Sequence, residues 1–274
     1  MIFQKHNTKP ISRLTKLNGK IQWTGGTRWN PMTGCTKISP GCKNCYAETL
    51  AKKLQKEGNP RYGNGFDLTL HRDKIKVPYG WRSKQVVFMK SMSDLFHPDV
   101  PLEFIQEVFE VMNNCPQHQF QILTKRSERV ADLASSLKWT PNIWMGVSVE
   151  NREYVYRIDD LRTVPANIKF ISAEPLIRPL PNLNLDGIHW CIIGGENPFP
   201  KSRKCELPWI EEIVAQCHKQ GTQPFVKQFG DQLGKQMGMT GYRAKEGDDY
   251  SKFPKHLRTW ELPMDLTPYE HCFV

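Results

Sequence analysis

Hydrophobic and polar positions along this chain repeat with two periods, and the switching between them sketches a fold. Short β-branched or aromatic runs occur at 86–89, 120–123, 143–149, 168–171, 190–193 and 224–227. Apolar runs of four to eight residues bounded by polar turns read as buried strands. Between several of them the period lengthens to that of a helix. Residues 101–113 set Phe104, Val108 and Val111 on one face behind Pro101, which suits a first helical turn. Residues 127–137 open on Ser127 as an N-cap, 151–161 repeat the pattern, and 208–220 run to a closing Gly221. Strands alternating with helices predict parallel βαβ units. About six such units predict an α/β fold, a partial (β/α) barrel. A flat doubly wound sheet is the competitor, and no Gly-x-Gly-x-x-Gly after the first strand favours it.

Ahead of this rhythm the chain reads differently. Residues 1–28 form a polar, basic lead-in with little apolar periodicity. Tyr46 to about Gln55 predicts a helix with Ala47, Leu50 and Leu54 on one side and Lys52, Lys53 and Lys56 outside. Residues 57–83, rich in Gly, Pro, Arg and Lys, predict an irregular connection. The barrel unit therefore spans 29–230, and 231–274 form a polar extension to which the pattern gives no role.

The 274 residues carry a net charge of +10, unevenly placed. Through residue 92 there are eighteen Lys and Arg against four Asp and Glu, a surplus of +14, while the remainder carries −4. A cation-rich first third attracts a polyanion, which points to nucleic acid; a solvated basic surface is the plain alternative. No apolar run reaches eighteen residues, so no membrane span or membrane partner is expected. The first residues lack the apolar stretch of a secretory signal, and the expected location is the cytoplasm. Thiols stay reduced there, and clustered cysteines read as metal ligands or catalysts.

One cluster stands out. Cys35, Cys42 and Cys45 lie in Trp29-Asn-Pro-Met-Thr-Gly-Cys-Thr-Lys-Ile-Ser-Pro-Gly-Cys-Lys-Asn-Cys-Tyr46, three thiols within eleven residues. Gly34, Pro40 and Gly41 supply turning backbone. Three thiolates suit a four-iron cluster with one iron open, or a zinc ion completed by a fourth ligand such as His71 or His97. The cysteines at 115, 191, 205, 217 and 272 are scattered and read as core or surface residues.

In a barrel of parallel strands the working residues sit at the C-terminal strand ends. Polar groups fall there repeatedly: Ser91, Ser93 and Asp94; Thr124, Lys125 and Arg126; Ser148 and Glu150; Ser172 and Glu174; Gly194, Gly195 and Glu196; Lys227 and Gln228. Any one of them reads as ordinary loop solvation, but the set predicts a polar active-site mouth. The Gly194-Gly195-Glu196 step offers either a close backbone approach to a ligand or a plain turn.

The cysteine loop running into an aromatic-headed helix ahead of βα units resembles the radical S-adenosylmethionine superfamily. That superfamily usually separates its first two cysteines by three residues; here six intervene. More closely, the chain resembles an uncharacterised phage-associated family known as three-Cys-motif proteins. The matching segments are the cysteine loop, Ser91-Met-Ser-Asp-Leu-Phe96, Leu123-Thr-Lys-Arg126, Gly146-Val-Ser-Val-Glu150, Ile171-Ser-Ala-Glu-Pro175, Gly194-Gly-Glu196 and Lys227-Gln-Phe-Gly230. The superfamily resemblance implies that Cys35, Cys42 and Cys45 hold a [4Fe–4S] cluster whose open iron binds S-adenosylmethionine. Reductive cleavage then gives a 5′-deoxyadenosyl radical, with flavodoxin or ferredoxin as reducing partner. The resemblance further implies Tyr46 near the adenine, Ser93 and Asp94 at the amine, and Ser148, Glu150 and Glu174 at ribose or carboxylate. Lys125 and Arg126 would neutralise a carboxylate or phosphate. Three readings follow: a radical enzyme acting on nucleic acid, one acting on a protein or small metabolite, and a zinc-stabilised nucleic-acid-binding module without catalysis.

Overall fold

The computed structural model describes residues 27–89, 92–197, 202–240 and 247–263. In chain order the elements are β1 (Thr27–Arg28), β2 (Met32–Thr33), α1 (Tyr46–Lys56), β3 (Thr69–Leu70), β4 (Val86–Met89) and α2 (Leu102–Asn113). There follow β5 (Gln119–Thr124), α3 (Ser127–Leu133), β6 (Ile143–Ser148), α4 (Tyr156–Thr163), β7 (Ile168–Ala173), β8 (Trp190–Gly194), α5 (Leu207–Gln220), β9 (Gln223–Gln228) and α6 (Gly230–Gln236). Seven strands pair in the order β1-β4-β5-β6-β7-β8-β9, every neighbour parallel, and the sheet curls into a half-barrel. β2 and β3 form a separate antiparallel pair.

All six expected strands are present. The lead-in needs one correction, because Thr27 and Arg28 form β1 and pair with Val87 and Phe88. A two-residue strand leaves no alternation to read. The rest of the lead-in lies outside the described residues, as do Ser91 and Cys272. Two helical expectations also shift. Ser127 makes no capping bond; α3 starts on it after Arg126, and its hydroxyl donates to Asp160 at 2.5 Å. The stretch 151–161 splits, with Asn151 accepting the Glu153 N–H to cap a 3-10 turn before α4 begins at Tyr156. α5 closes as expected, on Gly221 with φ 77°.

Neighbouring residues in a parallel register point to the same face, so the pairing sorts the side chains. Cys191 hydrogen-bonds Cys217 of α5, which puts it on the helix-covered side. Trp144, Phe170 and Trp190 therefore share the concave side with Phe225, and Trp190 packs on each of the others at ring separations of 5.7–6.1 Å. Gly146 makes room for this layer, since a Cβ there would stand 2.4 Å from the Phe170 ring. Buried Cys115, Cys191, Cys205 and Cys217 are core residues.

The C-terminal extension also gains a place. α6 straddles residue 230, and Trp260 pairs with Phe225 while its indole donates to the Val226 carbonyl at 3.0 Å. Phe253 stacks on Phe229 at 3.9 Å. The extension thus covers the outer edge of β9, which would otherwise present unpaired backbone. No described helix is long and apolar enough to cross a membrane.

Candidate functional site

The cysteine loop crosses the C-terminal mouth of the half-barrel and is fastened to it at several points. At its start, Gly34 donates its N–H to the Met92 carbonyl and bridges Ser93, while the Cys35 N–H reaches Phe66. Gly34 has φ 88°, and a Cβ there would lie 2.2 Å from the Asp67 carbonyl oxygen, so only glycine fits. At its end, α1 buries Ala47 and Ala51 against Tyr62 and Met92. Leu50 faces outward, a departure from the expected apolar face, and Tyr46 is exposed as well.

Three buried acids at the strand ends hold the loop between these points. Asp94 accepts from Thr124 Oγ1 at 2.7 Å, the Phe96 N–H at 3.1 Å and Arg126 Nη1 at 2.9 Å. Arg126 extends the same guanidinium to Thr36, 3.1 Å from its carbonyl and 2.9 Å from its Oγ1, and to Cys35 Sγ at 3.4 Å. His97 accepts the Asp99 N–H on Nδ1, so its Nε2 carries the hydrogen it gives to Thr36 Oγ1 at 2.9 Å.

Glu150, the second acid, is fully buried. It accepts from Arg157 Nη1 at 2.9 Å, from Lys125 Nζ at 3.5 Å and from the Ser39 hydroxyl. Burial pushes its carboxyl up, but Lys125, Arg157 and Ser39 outweigh it and hold the pKa below the ordinary value. Gly41 lies so close that a Cβ would meet Glu150 Oε1 at 2.8 Å. Glu196, the third acid, takes Arg203 through both oxygens and Asn44 Nδ2 at 3.0 Å, and Arg203 Nη1 reaches the Pro40 carbonyl at 2.9 Å. The two glycines before Glu196 serve packing: a Cβ on Gly195 would sit 2.2 Å from the Phe229 carbonyl oxygen.

Glu174 differs from these three. It makes no hydrogen bond to the cysteine loop among the described residues. Its Oε1 takes both Lys227 Nζ at 2.7 Å and Gln228 Nε2 at 3.0 Å, and its side chain is 20% exposed. Tyr46 stands nearby, 51% exposed. Surrounding protein nevertheless desolvates its phenol and raises the pKa well above the ordinary value; Arg28 opposes this while Cys45 and Glu174 add to it.

The expected site residues therefore divide into two groups. Asp94, Ser148 and Glu150 are buried; Asp94 and Glu150 anchor the loop, and Ser148 gives its carbonyl to Arg157 at 2.8 Å. Tyr46, Ser93, Lys125 and Glu174 keep exposed surface at the mouth. Cys35, Cys42 and Cys45 form no disulfide among the described residues and are half-buried. Burial raises the Cys42 thiol, but the Lys125 charge and hydrogen bonds from the Ile38 and Ser39 backbone and the Ser39 side chain bring it below the ordinary value. Among the described residues no three His, Cys, Asp or Glu side chains close on one point as a single ion requires. His71 and His97 are instead engaged with Thr33 and Thr36.

Sequence reasoning missed Arg157, Arg203 and Asn44. Arg157 reads as a solvated helix residue, and Asn44 meets Glu196 across 152 positions. Thr36 and Ser39 were legible only as members of the cysteine motif.

A family model described as "Protein of unknown function (DUF5131)" matches residues 18–254. Neither a curated protein nor a solved structure matches the chain.

Proposed function

For this chain, a member of the DUF5131 family, we propose a radical S-adenosylmethionine enzyme acting on nucleic acid, with a [4Fe–4S] cluster held by Cys35, Cys42 and Cys45. The observation that carries the reading is a firmly anchored loop with three half-buried thiols at the mouth of a parallel half-barrel. The donor set fits in kind and charge. Each thiolate holds a different iron in such a cluster, and Lys125 and Arg126 supply cations beside Cys42 and Cys35. When bound, the cluster supplies the electron that cleaves S-adenosylmethionine.

The chain's own residues bind and orient. Glu174 keeps Oε2 clear of Lys227 and Gln228, which both use Oε1, and so offers an acceptor to a ribose hydroxyl or an amine. Tyr46 provides a flat face for adenine. Lys125 sets a cation toward the cofactor carboxylate, and Ser93 offers a hydroxyl to the amine. Asp94 and Glu150 contribute by fixing the loop. The surplus of +14 through residue 92 supports nucleic acid as the substrate class, and the phage association carried by the resemblance belongs to the same proposal.

Protein purified without oxygen should contain iron and sulfide and should release 5′-deoxyadenosine from S-adenosylmethionine with a strong reductant, flavodoxin or ferredoxin. Stoichiometric zinc without iron would refute the radical reading and favour the zinc-stabilised binding module. Nucleic acid binding should weaken steeply with salt. Absent or salt-insensitive binding would move the substrate to a protein or small metabolite.

A further inference from the structure

Arg126 joins the cysteine loop to the sheet and also touches the Cys35 thiol. It is 8% exposed and reaches three partners with two nitrogens. Nη1 lies 2.9 Å from Asp94 Oδ2 and 3.4 Å from Cys35 Sγ; Nη2 lies 3.1 Å from the Thr36 carbonyl and 2.9 Å from its Oγ1. The remaining contacts fix the guanidinium from behind. Asp94 is held by Thr124 and by the N–H groups of Phe96 and Lys125, and His97 meets Thr36 Oγ1 from the other side. A planar fork held at both edges has one orientation, which a lysine ammonium does not reproduce.

We propose that Arg126 is a positioning residue for Cys35: its fork fixes the Cys35–Thr36 step against β5 and donates a hydrogen bond to the Cys35 sulfur when that sulfur carries iron. This rests on the cluster reading given above. Two consequences differ in kind. Fixing the step retains the iron at Cys35, because a ligand on an unanchored strand of loop dissociates more readily. The hydrogen bond and charge at the sulfur stabilise the reduced, more negative cluster and so raise its reduction potential.

The test uses full-length protein reconstituted without oxygen in four forms: wild type, R126K, R126Q and the charge-balanced D94N/R126Q, which leaves no buried carboxylate without its partner. Iron and sulfide content, the rate of iron loss to a chelator, and the potential from a titration followed by electron paramagnetic resonance are measured on each. Relative to wild type, R126Q and D94N/R126Q should lose iron at least tenfold faster. R126Q should shift its one-electron equilibrium tenfold toward the oxidised cluster, about 59 mV lower, and D94N/R126Q by less, because the Asp94 charge goes with that of Arg126. R126K keeps the charge and loses the fork, so it should lose iron quickly with a smaller change in potential. Should R126Q fail to fold, D94N/R126Q carries the comparison. A D94N/R126Q protein with a full cluster and wild-type iron retention overturns the proposal alone. A folded wild type that takes up no iron overturns the cluster reading and this proposal together.

Discussion

Removing Arg157 tests whether the cysteine loop rests on a buried ion pair. Arg157 and Glu150 are 1% and 0% exposed, and Nη1 lies 2.9 Å from the carboxylate. Replacing Arg157 with Met removes the nearer of the two cations and keeps much of the volume. Lys125 at 3.5 Å and the Ser39 hydroxyl remain, too few to satisfy a fully buried carboxylate. Breaking one side of a buried pair costs about 3–5 kcal/mol. For a chain of this length that corresponds to a Tm lowered by roughly 10 °C.

The penalty should depend on pH, with a definite sign. Glu150 has its pKa depressed in the folded protein, so its pairing stabilises the fold above the ordinary value of 4.5 and is lost as pH falls through the folded value. The gap between R157M and wild type should therefore be largest near neutrality and shrink in acid. Urea denaturation followed by circular dichroism at pH 7 and at pH 4 measures both. The double variant E150Q/R157M, with no buried charge left, should recover part of the loss. A penalty under about 1 kcal/mol at pH 7, or one unchanged at pH 4, would show that Arg157 does not carry the Glu150 charge.

Other outcomes follow from the same geometry. Changing any one of Cys35, Cys42 or Cys45 to Ala should abolish iron uptake, while Cys217→Ala, on the buried face of α5, should leave iron content unchanged; an iron assay decides. Glu174→Gln should weaken binding of S-adenosylmethionine by about tenfold, since a charge-assisted hydrogen bond is worth roughly 1.5–3 kcal/mol, without loss of iron; calorimetry on reconstituted protein reads this. Gly146→Ala should cost about 1–3 kcal/mol by overpacking against Phe170, with part of it recovered in G146A/F170L, as measured by urea denaturation.

The strands and the polar mouth were legible for a common reason. A buried parallel strand needs an unbroken apolar run, and the first residue past it must meet water or a ligand. Asp94, Glu150, Glu174 and Glu196 were all found that way. Their division into three anchors and one more open group was not legible, because it depends on residues brought together by the fold. Ser39 meets Glu150 across 111 positions, and no local pattern marks the pair. Ser127 shows the opposite failure: it has the right local chemistry for a cap, but Asp160 claims its hydroxyl. The short strand at 27–28 was hidden by its length, and its pairing with β4 is what defines it.

The long separation between Cys35 and Cys42 then has a physical account. Ordering the six intervening residues costs about 1–2 kcal/mol each, roughly 6–12 in all. Four charge-assisted contacts fall within that stretch: Arg126 to the Thr36 carbonyl, Arg126 to Thr36 Oγ1, Ser39 to Glu150, and Arg203 to the Pro40 carbonyl. At about 1.5–3 kcal/mol each they offset a cost of that size. A loop with the three-residue spacing usual in the radical S-adenosylmethionine superfamily has less chain to order and needs fewer such contacts. The buried acids in the loops after β4, β6 and β8 are thus what a longer loop requires. They have little freedom to bind anything else, so under the proposed function recognition falls to the more exposed Glu174 side of the mouth.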